Sequence, residues 1–83
     1  MKSKDFDEAI GYYTRSIEFD PTMATSFCNR AFAYLKKKGT RYKNVDFQKA
    51  LTDCEKAIQL NSKYVKAYNR KGKAYQGLSK LRA

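Results

Sequence analysis

Lys66-Ala67-Tyr68-Asn69-Arg70-Lys71-Gly72-Lys73-Ala74-Tyr75 is the stretch whose reading decides the fold. Lys66, Arg70 and Lys73 stand at i, i+4 and i+7, so on a helix they form one cationic stripe. Tyr68, Gly72 and Tyr75 keep the same spacing on a neighbouring face, where the glycine predicts a close approach by another helix. The same pattern occurs earlier in the chain. Sliding the sequence by 41 residues aligns Tyr68 with Phe27, Ala74 with Ala33 and Tyr75 with Tyr34. It also aligns Phe47 with Phe6, Ala50 with Ala9 and Ile58 with Ile17. A helix-pair unit is used twice.

Working outward, the spacing predicts four helices and a loop. Phe6, Ala9, Ile10, Tyr13, Ser16 and Ile17 mark one apolar face over residues 5–20. Asp5 is the expected N-cap with Glu8 three residues on, and Asp20-Pro21 the stop. A second helix is expected over 22–38, with Phe27, Arg30, Ala31 and Tyr34 on one face. Lys36, Lys37 and Lys38 suit its C-terminal dipole, and Gly39 suits its end. Residues 39–45 read as an inserted loop. Asp46 is then expected to cap a third helix over 46–61, and a fourth runs over 63–77 before the tail turns.

Eighty-three residues allow one small domain near the lower limit for a self-sufficient core. Apolar residues make up 42%, too many for a disordered chain, and one proline and four glycines leave the periodic segments intact. No run approaches the roughly 18 apolar residues of a membrane span, and no signal peptide follows the N-terminus. A soluble cytoplasmic protein is the expectation. Cys28 and Cys54 lack metal-ligand or redox spacing and read as small buried apolar residues.

With 18 Lys+Arg against 8 Asp+Glu the formal net charge is +10, which favours acidic partners. The absence of histidine removes the commonest general base and metal ligand at neutral pH. Asp5, Asp7 and Glu8 are explained by a helix N-terminus, and Ser16 and Ser62 have no base beside them. No enzyme, cofactor or metal site is expected.

With a seven-residue insertion after Gly39, the 41-residue shift reduces to a period of about 34 residues. Ala9, Tyr13, Ser16 and Pro21, then Ala50, Cys54, Ala57 and Ser62, and the first-helix triplets Phe27-Ala31-Tyr34 and Tyr68-Gly72-Tyr75 carry a resemblance. The chain resembles the tetratricopeptide repeat (TPR) family over nearly its whole length, 1–83. The resemblance implies an all-α solenoid with helices in the order B1-A2-B2-A3. The outer faces of B1 and A3, with Tyr13, Ile17, Tyr68 and Tyr75, then lack partners within the chain. The chain is accordingly expected to belong to a larger array or to self-associate.

The resemblance also implies a ligand. The co-chaperone members of the family hold peptides ending in Glu-Glu-Val-Asp, the tails of heat-shock chaperones of the 70 and 90 kDa classes, in a carboxylate clamp. Phe27-Cys28-Asn29-Arg30-Ala31 is similar to the A2 clamp segment and puts Asn29 at its asparagine. Lys66-Ala67-Tyr68-Asn69-Arg70 is similar to the A3 segment and puts Lys66 and Arg70 at its basic pair. The A1 lysine and asparagine have no counterpart here. Chemically, Arg70 offers a bidentate fork, Lys66 a point charge and Asn29 an amide donor. Lys36 and Lys73 are expected groove contacts. Charge reversal at Arg70 should cost more affinity than at Lys80, taken as an exposed control. A different acidic ligand for the groove, self-assembly, and nucleic-acid binding by Lys36 to Lys38, Arg41 and Lys43 around Tyr42 stay open as alternatives.

Overall fold

The computed structural model describes residues 3–37 and 43–82. These form α1 (Ser3–Phe19), α2 (Ala24–Lys36), α3 (Lys43–Leu60) and α4 (Val65–Arg82). Each helix packs on the next, and α2 also packs on α4, so α2 touches every other element. The result is an all-α, TPR-type stack of helix pairs measuring 35 × 25 × 18 Å.

The 41-residue offset reappears in the backbone bonds of the two turns. Asp20 N–H donates to Ser16 O at 2.9 Å, and Asn61 N–H donates to Ala57 O at 2.9 Å. Ser26 N–H donates to Met23 O and Ala67 N–H to Tyr64 O, both at 3.1 Å. The side chain at the turn's start does the same work in both places: Asp20 Oδ1 accepts from Thr22 N–H at 3.0 Å, and Asn61 Oδ1 accepts from Lys63 N–H at 3.2 Å. These side chains take up amide donors between helices that would otherwise be orphaned. The Thr22 hydroxyl also donates to Asp20 Oδ1, and together the two bonds hold the Asp20 carboxyl below its ordinary range. Helices α2 and α4 therefore begin 41 residues apart, at Ala24 and Val65.

The core is built from small residues. Phe27, Cys28, Ala57 and Ala67 form one buried cluster near the turns, with Ile17, Ile58 and Tyr64 against it. Ala31, Ala50, Cys54 and Ala74 form the second, farther along the helices. Cys28 and Cys54 are free thiols and the largest side chains that are fully buried. Alanine and cysteine at the contacts let the helix axes come close.

Five expectations are corrected. Helix α1 begins at Ser3, so Asp5 lies within the first turn and complements the dipole rather than capping. Helix α3 begins at Lys43, which returns residues 43–45 from the expected loop to the helix and puts Asp46 inside its first turn. The reason is a tie between helices: the Lys43 ammonium donates to the carbonyls of Tyr34, Leu35 and Lys37 at 3.3, 3.1 and 2.6 Å. Helix α4 continues past Gly77 to Arg82. The close approach expected at Gly72 occurs instead at Gly77, where the Phe47 ring lies against the glycine; a Cβ on Gly72 would meet nothing within 4 Å. Ile17, expected on a bare face, packs against the Phe27 cluster, whereas Tyr68 and Tyr75 are about half exposed. Residues 38–42 lie outside the described residues, and with them Lys38, Arg41 and Tyr42 of the basic cluster kept open for nucleic acid. No described helix is long and apolar enough to cross a membrane.

Candidate binding groove

Helix spacing puts residues 66, 70, 73, 77 and 80 on one face of α4 and residues 29, 32 and 36 on one face of α2. Where α2 and α4 meet, these faces bound a groove of about 450 Å3. Phe32 and Leu35 of α2 and Phe47 of α3 form its apolar part, and Lys36, Arg70, Lys73 and Lys80 supply four cations. Among the described residues no aspartate or glutamate lines it. Gly77 belongs to the same wall, and its missing side chain is what admits the Phe47 ring.

Arg70 is the most constrained of the four. Its guanidinium carbon lies 4.8 Å from the Phe32 ring centroid, a cation–π contact that holds the guanidinium over the ring. Nη1 makes only a long 3.5 Å contact to the Lys66 carbonyl, and Nε is buried with no hydrogen-bond partner among the described residues. The Lys36 ammonium sits 5.6 Å from the same ring. Among the described residues none of the four groove cations is in a salt bridge; the bridges join Arg30 to Asp53, Lys37 to Asp7 and Lys71 to Glu55.

The positions expected from the sequence divide accordingly. Arg70, Lys73 and Lys36 line the groove. Asn29 is half-buried on α2 and Lys66 exposed at the start of α4, and neither lines it. They stand one turn N-terminal of Phe32 and Arg70 on the same two faces and so extend the groove at that end. Lys80 lines the groove and is no neutral control for Arg70. The 66/70/73 stripe continued to 80 would have found it, as it would have found Gly77.

The rotation of α2 that aims Phe32 and Lys36 at α4 is set by Arg30. Its Nε and Nη2 donate to the two Asp53 oxygens at 2.8 Å each, and Nη1 donates to Thr14 Oγ1 at 3.2 Å. One side chain thus ties α1, α2 and α3. The Asp53 hydrogen bonds raise the guanidinium pKa further, while burial pushes the Asp53 carboxyl up against the pull of Arg30. At the groove's other end Lys43 holds α3 to α2, with its ammonium 4.8 Å from the Phe47 ring centroid. Burial lowers the Lys43 pKa, and the nearby Asp46 charge opposes that. Asp46 itself is buried, and its Oδ2 has no hydrogen-bond partner among the described residues.

Stacked helix pairs with a basic groove between α2 and α4 define a helical-repeat module, and the comparisons with known proteins bear on that class. The chain is 38% identical to serine/threonine-protein phosphatase 5 of Homo sapiens over all 83 residues, 15% of that protein's length. It is equally similar to the Rattus norvegicus phosphatase. Against RNA polymerase II-associated protein 3 of Homo sapiens it is 40% identical over 81 residues, 98% of this chain and 11% of that protein. The chain therefore spans only a small part of these relatives. No family model matches it, and no solved structure matches it.

Proposed function

We propose that this chain is a protein–protein interaction module that grips an acidic, C-terminal peptide, with no catalysis of its own. The observation that carries the reading is Arg70, a guanidinium held against Phe32 in a groove that no described carboxylate lines. The fork makes only a long contact to the Lys66 carbonyl, so a carboxylate entering the groove can take up its remaining donors in charged hydrogen bonds worth about 1.5–3 kcal/mol each. Arg70 supplies the fork, Lys66 one turn away a second charge, and Asn29 across the groove an amide donor. Through the TPR resemblance the ligand is the Glu-Glu-Val-Asp tail of a cytoplasmic chaperone of the 70 or 90 kDa class, which makes the module co-chaperone-like. Likeness to short segments of a phosphatase and of a polymerase-associated protein supports a reusable binding unit, in which any enzyme activity lies elsewhere in the relative.

The test is a titration with a Glu-Glu-Val-Asp peptide beside its C-terminally amidated twin. Loss of binding on amidation is the expected result. Equal binding of both reduces the groove to nonspecific charge. Charge reversal at Arg70 should cost more affinity than reversal at Lys56, which is exposed on α3 away from the groove.

A second reading has its own observation. Val65, Tyr68 and Tyr75 of α4 and Tyr12 of α1 are exposed large side chains on helices that pack on few others. Self-association through them would appear as a sedimentation coefficient that rises with concentration.

A further inference from the structure

We infer that the groove has a second anionic subsite, formed by Lys36, Lys73 and Lys80, that takes an acidic side chain roughly four to six residues before the ligand's terminal carboxylate. The inference rests on the proposed function for the position of that terminus at Arg70 and Lys66. Its own support is the row of charge beyond them. Along α4 the basic face runs from Lys66 to Lys80, about 21 Å at 1.5 Å per residue, interrupted only by Gly77. A terminal carboxylate engages the N-terminal third of that row. From Arg70 to Lys80 the helix rises about 15 Å, a span an extended peptide covers in four to five residues at about 3.3 Å each.

Three features make this stretch a site rather than a solvated face. Lys36 reaches the same groove from α2, so the charge converges from two helices instead of spreading along one. All three lysines share one groove whose apolar part, Phe32, Leu35 and Phe47, keeps an extended backbone close to them. Finally, no described carboxylate neutralises any of the three, although Lys37 and Lys71, their sequence neighbours, both have acidic partners. The partner that complements the three is a peptide whose acidity extends upstream of its last four residues.

The experiment uses the full 83-residue chain and ten-residue peptides ending in Glu-Glu-Val-Asp, measured by calorimetry or fluorescence anisotropy. One peptide carries Ala and Ser upstream, one a Glu pair at the fifth and sixth positions from its C-terminus, and one the same pair at the ninth and tenth. Each is made as free acid and as amide, and each is tested on the native chain and on Lys73→Gln/Lys80→Gln. The near pair should tighten binding three- to tenfold, as two exposed ion pairs allow. That gain should vanish in the double variant, which should bind the near-pair and Ala/Ser peptides with equal affinity. Equal affinities for the near-pair and Ala/Ser peptides overturn the subsite and leave the terminal clamp standing. A gain that survives in the double variant, or that the far pair matches, also overturns it as general charge attraction. Insensitivity to amidation with the near-pair gain intact overturns the clamp and keeps the basic subsite. Failure of every peptide to bind at millimolar concentration overturns both.

Discussion

The Phe47 ring lies against Gly77 so closely that a single methyl group at Gly77 would fall inside its van der Waals envelope, touching three ring carbons. The contact joins α3 to α4 at the C-terminal end of the groove. Replacing Gly77 by alanine gains about 1 kcal/mol of helix propensity but forces the ring off α4, an overpacking cost of about 1–3 kcal/mol. Gly72→Ala collects the same propensity gain with open space around it. Thermal unfolding should therefore show a raised Tm for Gly72→Ala and an unchanged or lowered Tm for Gly77→Ala. A Tm raised equally by both would mean that Phe47 does not press on α4.

Arg30 and Asp53 should be inseparable in mutagenesis. Asp53 is 4% exposed, so removing its partner leaves a buried, uncompensated carboxylate. Arg30→Met is expected to cost about 3–5 kcal/mol, and Asp53→Leu a similar amount. The double variant should recover much of that loss, because two apolar side chains of similar volume replace the pair. Denaturant titration of the four proteins closes the cycle. Additive losses would show that the two side chains act independently.

The 41-residue offset was legible in the sequence because the same small and aromatic residues recur at core positions, and the turns repeat it bond by bond. The ends of helices were not legible to the same degree. Asp46 looks like a cap and Gly77 like a stop, and local propensity favours both readings. Each is overridden by a contact from another helix, the Lys43 ammonium on the end of α2 and the Phe47 ring on α4. Giving 78–83 to a turn then hid Lys80, although it continues the stripe of Lys66, Arg70 and Lys73. Arg30 and Asp53 were invisible as a pair because helical spacing reveals which residues share a face but not which faces meet.

Alkaline pH should destabilise this protein through the Cys54 thiol. Burial, with Cys28 beside it, pushes the Cys54 thiol from 9.0 up to about 12. Above pH 9 the unfolded chain releases that proton while the folded chain keeps it. The unfolded state then binds fewer protons, and stability falls as pH rises. The loss saturates near pH 12 at roughly 4 kcal/mol. Denaturant midpoints at pH 8, 9, 10 and 11 should decline, and Cys54→Ala should flatten the decline while lowering the starting value. In the same picture, iodoacetamide at pH 8 labels Cys54 only after denaturant is added. Rapid labelling of the native protein would contradict its burial.

Lys43 should link stability to ligand binding. Its ammonium gathers the carbonyls of Tyr34, Leu35 and Lys37, acceptors at the C-terminal end of α2 with no later amide of their own helix to pair with. Its stem lies beside Phe47, which with Leu35 lines the groove. Lys43→Met keeps the stem and removes the three donated bonds, and should cost about 1–2 kcal/mol at the usual worth of charged hydrogen bonds. The last turn of α2 would then fray, releasing Lys36 from its place over Phe32. Peptides with upstream acidic residues should lose affinity, and those recognised only through their terminal carboxylate should not, because Arg70 and Asn29 lie nearer the opposite end. Amide exchange of residues 33–37 in the native chain and the variant would report the fraying directly. Unchanged exchange together with weaker binding would mean that Lys43 acts on the ligand by its charge and not by holding the helix end.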